Sequence, residues 1–148
     1  MKPKKLTKIT FNLEAFTFID LGLQSSRLWA TENAPDHYTF SEAVETFGTL
    51  LPSSPAMVEL FKECECIWND EKKGLDITGP NGNTIFLPAA GYTRLSPDVK
   101  AKNIEGDYWT RTLHGQTNAY NLLFSADDLY PLFDNRRRYG FSVRLCKE

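Results

Sequence analysis

The chain has 148 residues, 41% of them hydrophobic and 24% charged, which suits one domain with a single core and excludes a disordered polymer. Its net charge of −2 offers none of the positive field on which nucleic-acid binding depends. Aromatic residues make up 13%, a share that fits a β-rich core and leaves rings available for a contact surface.

The N-terminus carries Lys2, Lys4, Lys5 and Lys8, a basic lead read as a flexible, solvated tail over residues 1–8. Thr10, Asn12 and Glu14 interrupt any apolar run behind it, so neither a signal peptide nor a membrane anchor is expected. Work in the cytoplasm, or release by a signal-independent route such as a virion, follows. Ile9, Phe11 and Leu13 alternate, as do Phe16 and Phe18, predicting one strand or two short ones. The stretch from Phe18 to Tyr38 is read as an irregular connection around a buried Trp29.

Thr39 and Glu42 form a capping box, and Phe40, Ala43, Val44 and Phe47 make one apolar stripe ended by Gly48. A second helix opens with Ser54 as its cap and Pro55 at the first position; Met57, Leu60, Phe61 and Cys64 form its stripe. Strands are predicted from Gly74 onward. Leu75 and Ile77, then Gly79-Pro80-Asn81-Gly82, then Ile85 and Leu87 read as a hairpin. Gly91-Tyr92 opens a further strand, and Leu95 to Gly106 is a polar surface loop. Tyr120, Leu122 and Phe124 alternate, and so do Phe141, Val143 and Leu145, as strands that hold a rigid platform. The order strand, helix, helix, mostly antiparallel sheet is that of an α+β domain.

Three cysteines, Cys64, Cys66 and Cys146, are no disulfide framework, and they are read as reduced; Cys64 with Cys146 is the one bridge entertained. His37 and His114 lack metal-pair spacing, and no nucleophile elbow or phosphate-binding loop occurs. Asp127 and Asp128 are adjacent, so on a strand they would face apart, and in a loop they would cap a turn. Trp68-Asn69-Asp70 matches a string that carries calcium ligands in sugar-binding C-type lectins, but the Glu-Pro-Asn or Gln-Pro-Asp partner is missing. No catalytic residue, metal or cofactor is expected. Arg136-Arg137-Arg138, with Tyr130, Phe133 and Tyr139 near by, suggests an aromatic-and-arginine recognition patch.

Several strings then stand in a telling order: Asp20-Leu21-Gly22-Leu23, Leu28-Trp29-Ala30-Thr31, Gly79 through Tyr92, Tyr108-Trp109, and Tyr139 through Leu145. Together they resemble the "major paralogous domain" family of gut Bacteroidetes and their phages, whose members include variable proteins of diversity-generating retroelements. The resemblance runs from about Phe18 to Cys146. It implies a C-type-lectin-like fold, a single domain over residues 1–148, and a fixed scaffold bearing a hypervariable ligand surface. The formylglycine-generating enzymes, which share that fold, have active cysteines that this chain does not match.

The expected function is a non-enzymatic adhesin of a phage or mobile element, in the virion or the cytoplasm of a host bacterium. Its partner would be a protein or glycan on a bacterial surface, with no nucleic acid and no membrane insertion. The expected ligand surface is Arg111, Leu113, His114, Gln116, Asp127, Tyr130, Phe133, Arg136, Arg137 and Tyr139. Leu132 and Asp134 have the look of substituted positions too. The alternative is a capsid or tail decoration whose surface contacts its own assembly as an oligomer.

Overall fold

In the computed structural model, residues 12–148 are described. They form β1 (Phe18–Asp20), β2 (Leu28–Ala30), α1 (Phe40–Phe47), α2 (Ser54–Glu63), β3 (Glu65–Asn69), β4 (Gly74–Thr78), β5 (Thr84–Pro88), β6 (Glu105–His114), β7 (Asn118–Ser125), β8 (Leu129–Arg136) and β9 (Cys146–Lys147). The basic lead and the Ile9–Phe11 alternation lie outside the described residues. Three sheets run β1-β2-β9, β3-β4-β5 and β6-β7-β8, each with antiparallel neighbours. The domain is thus mixed α and β, with mostly strands after the helices.

The N-terminal alternation ends differently from its pattern. Leu13–Ala15 is a single 3-10 turn, in which the Asn12 side chain accepts from the Glu14 N–H at 3.1 Å. The connection read as irregular holds two strands, β1 and β2, with Ile19 opposite Trp29. Trp29 is fully buried, as its setting among apolar residues implied. Three-residue strands give too few alternations to stand out from a loop.

Both helices start where their caps direct. Thr39 accepts from the Glu42 N–H, and the Glu42 carboxylate accepts from the Thr39 N–H at 2.8 Å. Gly48 ends α1 at φ +54°, a conformation that costs glycine little. Phe40, Ala43 and Phe47 are buried, whereas Val44 lies toward solvent at the margin of the stripe. α2 begins one residue earlier than its sequence suggests. Ser53 is the cap, accepting from the Ala56 N–H at 3.2 Å, and Pro55 sits at the second position.

The hairpin of β4 and β5 closes through the Gly79 N–H to the Asn83 carbonyl, 2.8 Å. Its tip is stapled to β1, because the Asn81 and Asn83 amides both donate to the Asp20 carbonyl, at 2.8 and 2.9 Å. β3 pairs beside β4 at the sheet edge and carries Trp68 and Asn69 of the Trp-Asn-Asp string, ahead of the strands predicted from Gly74. Asn69 donates to Asp76 at 3.0 Å and accepts from the Lys72 N–H, so it shapes the β3–β4 turn. Asp70 takes hydrogen bonds from Lys73 and Trp68, which hold its carboxylate below the usual range. Gly91 and Tyr92 make isolated bridges instead of a strand.

Two cores flank β6. Leu21, Trp29, Met57, Leu60, Ile77, Tyr108 and Phe124 belong to one; Phe40, Phe47, Trp109, Phe141, Val143 and Leu145 belong to the other. The last run is therefore not a half-buried strand. Every residue from Gly140 to Cys146 is buried, and the segment threads between neighbours, bonding Tyr38, Ala34, Ala30 and Trp109 in turn. Gly140 is required there by space, since a Cβ would stand 1.9 Å from the Thr93 hydroxyl. All three cysteines are free; burial raises Cys64 to about 11 and Cys66 and Cys146 to about 12, so the thiols keep their protons at neutral pH.

Candidate binding surface

β6 carries the first group of expected contact residues, and a bulge between Trp109 and Leu113 decides their fate. There the Arg111 N–H donates to the Pro52 carbonyl at 2.8 Å. The Arg111 guanidinium donates to Leu51 at 2.8 Å and to Thr49 at 3.4 Å. The Thr112 hydroxyl accepts from the Ser54 N–H at 2.9 Å. The bulge thus ties the sheet to the start of α2, and Arg111 is engaged inward.

Leu113, His114 and Gln116 stand free at the tip of the β6–β7 hairpin, Leu113 being 55% exposed. His114 Nδ1 lies 2.6 Å from the Tyr120 hydroxyl, which fixes the ring edge-on to that tyrosine. Arg136 is exposed opposite Asn118 at the same end. Arg137 is again structural: Nε donates to the Asn118 carbonyl at 3.0 Å and Nη2 to Gly115 at 2.8 Å. Asp127 sits in the β7–β8 turn at the far end of β7, roughly 20 Å away at the usual rise per residue. The Ser125 hydroxyl accepts from the Asp127 and Asp128 N–H groups, so the turn holding this pair is capped by Ser125.

No strand is predicted between the Tyr120–Phe124 and Phe141–Leu145 alternations, yet β8 occupies that segment. It is a strand at the edge of its sheet. Its register slips between Tyr130 and Phe133, opposite Asn121 and Leu123, so Pro131 sits in a bulge that needs no ladder N–H. Along it Leu129, Tyr130, Leu132 and Phe133 are all exposed, Tyr130 at 46% and Phe133 at 40%. Tyr130 and Phe133 rings lie 5.8 Å apart. Beneath, Asn121 is fully buried; its amide donates to the Leu122 carbonyl at 2.9 Å and accepts from Asn135 at 3.1 Å. The apolar strip therefore rests on a bonded, rigid support.

Beside this strip a cavity of about 160 Å³ opens between the sheet and the 92–94 and 139–141 segments. Phe133 and Tyr139, both expected contact residues, line it with Tyr92 and Phe141. Glu105 and Asp107 line it too, two residues apart on β6 and so on one face. Asp107 is 2% exposed, and among the described residues no donor reaches its Oδ2. Burial, then the hydrogen bond and charge of Glu105, push its carboxyl up to about 9. Arg94 stands at the rim over the Tyr139 ring, 5.5 Å from its centroid.

No family model, curated protein or solved structure matches this chain. The site accordingly rests on its own geometry. Among the expected residues, Leu113, His114, Gln116 and Arg136 gather at one hairpin tip, while Tyr130, Phe133 and Tyr139 gather around the strip and cavity. Arg111 and Arg137 are held by backbone carbonyls, and Asp127 is remote from the tip. Sequence reasoning passed over Glu105 and Asp107, which it left in or beside a surface loop. The spacing of two between them, at the head of an aromatic strand, was the available signal.

Proposed function

We propose that this chain is a non-enzymatic ligand-binding module with a C-type-lectin-like fold, similar to the variable proteins of diversity-generating retroelements. In this reading it is a phage or mobile-element adhesin that recognises a protein or glycan on a bacterial surface through its C-terminal third. The observation that carries the proposal is the exposed row of Leu129, Tyr130, Leu132 and Phe133 on a sheet edge beside β7, in which Ala119, Asn121, Leu122 and Phe124 are fully buried. Aromatic side chains give large contact area with little entropy to lose, and a rigid support lowers the cost of ordering further. Leu113, His114, Gln116 and Arg136 extend the surface with polar contacts that tune specificity. The resemblance in sequence and the strand–helix–helix–sheet order support the fold assignment.

The test is adhesion of the purified protein to cells of the source community. Tyr130→Ala with Phe133→Asp abolishes adhesion while leaving the far-UV spectrum unchanged. Retained adhesion by that double variant removes the proposal. Among the described residues no strand pairs with the outer edge of β8, which favours one rival, self-assembly within a virion. Light scattering separates the two, since assembly through β8 makes the isolated chain oligomeric and the adhesin reading leaves it monomeric.

A further inference from the structure

The cavity beside β8 holds an arrangement that a flat adhesive surface does not need. Glu105 and Asp107 both line it, and Asp107 Oδ2 is buried with no hydrogen-bond donor among the described residues. A buried acceptor left unpaired costs on the order of 1–3 kcal/mol. Such a group marks a place where a donor is meant to arrive. The walls are rings: Tyr92, Phe133, Tyr139 and Phe141. Aromatic faces attract cations, and more strongly where water is excluded. Among the described residues Arg94 makes no ion pair with either acid, and it stacks on Tyr139 at the mouth.

We infer that this cavity binds a primary alkylammonium group, such as a lysine side-chain terminus, with the ammonium between Glu105 and Asp107 and the alkyl stem along the rings. The size agrees. An apolar cavity of about 150 Å³ admits a six-atom ring, and this cavity of about 160 Å³ has room for the five heavy atoms of a butylammonium. An anion would meet two acids.

The exchange balances in charge. The free pair holds one proton between two carboxyls, a net −1. An ammonium entering as +1 displaces that proton to solvent, and the loaded site is again −1. No bond to carbon is made or broken. Glu105, Arg94, Tyr92 and Tyr139 are the titratable or charged neighbours that line the cavity with Asp107. Because proton and ammonium compete, affinity rises about tenfold for each pH unit while Asp107 is still protonated.

The site shares only Phe133 with the exposed strip, so its fate is separable from that of the adhesin reading. The experiment is calorimetric titration of the full chain with n-butylammonium chloride at pH 7 and pH 8, with n-butanol as the isosteric neutral control. Expected are saturable one-to-one binding, an affinity increase of about tenfold between the two pH values, proton release seen as dependence on buffer ionisation heat, and no binding of n-butanol. Asp107→Asn lowers the affinity at least tenfold; Glu105→Gln does the same and serves if the first variant folds poorly. Absence of binding, equal binding of n-butanol, or an affinity indifferent to pH overturns the inference.

Discussion

Tyr108 and Trp109 are consecutive on β6, both are fully buried, and each belongs to a different core. Successive side chains on a strand point to opposite faces, so one strand serves as the wall between two cores. Tyr108 stacks on Phe124 with centroids 6.0 Å apart; Trp109 lies 4.3 Å from Phe141 and donates to the Tyr38 carbonyl at 2.8 Å. The exposed apolar strip on β8 therefore hangs, through β7, from a strand anchored on both sides.

The Tyr108 hydroxyl donates to the Pro88 carbonyl at 2.6 Å and accepts from the Asn33 amide at 2.9 Å. Phenylalanine fills the same volume and leaves both partners unpaired. Tyr108→Phe is expected to cost about 1–3 kcal/mol in urea unfolding. A cost below a few tenths would show that water restores both bonds.

Arg144 is buried with three acceptors: Asn33 Oδ1 at 2.8 Å, the Ala30 carbonyl at 3.0 Å and the Phe86 carbonyl. It joins β2, the following loop and β5 to the C-terminal segment. Burial lowers its pKa to about 10, so it stays cationic at neutral pH. Lysine keeps the charge but loses the planar fork. Arg144→Lys is expected to destabilise by about 2–4 kcal/mol, since bonds to a charged group contribute about 1.5–3 each. Combined with Tyr108→Phe the loss should be less than additive, because Asn33 is shared. Additive losses in a double-mutant cycle would refute that coupling.

The Asp107 carboxyl titrates near the ordinary aspartate value, about 3.9, when the chain is unfolded. Folded, it holds its proton up to about 9. Between these values the folded state binds the extra proton, so each rise in pH removes stability. Asp107→Asn abolishes that dependence. Relative to the parent, the variant gains stability from pH 5 to pH 8 by at least about 1 kcal/mol. Chemical denaturation at the two pH values measures it; an unchanged difference means that the carboxyl ionises freely in the fold.

Population sequencing of this gene tests the diversified-surface idea residue by residue. Substitutions are expected at Leu113, His114, Gln116, Tyr130, Leu132, Phe133 and Arg136. Thr110, Arg111, Asn121 and Arg137 are expected to stay fixed, because each is bonded to the scaffold. Adenine-directed changes that strike both sets alike would break the division of labour drawn from the fold.

Short-range chemistry was readable from the chain itself. The Thr39–Glu42 box, the stop at Gly48, the Gly79–Gly82 turn and the alternation of Leu122 and Phe124 need only residues a few positions apart. Their energies are local, so their pattern survives in one dimension. What Arg111 and Arg137 touch is not local. Each guanidinium goes to backbone carbonyls of other segments, Thr49 and Leu51 for Arg111, Gly115 and Asn118 for Arg137, and only the packed chain decides which carbonyls those are. The same holds for β8, whose bulge makes room for Pro131, and for Arg144, which the sequence showed only as part of an alternating run. Asp107 is the sharpest case. Its spacing from Glu105 was visible, but its burial depends on Tyr92, Phe133 and Tyr139 arriving from three other segments. Water exclusion is a property of the assembled fold, and it is water exclusion that turns an ordinary acid pair into a site.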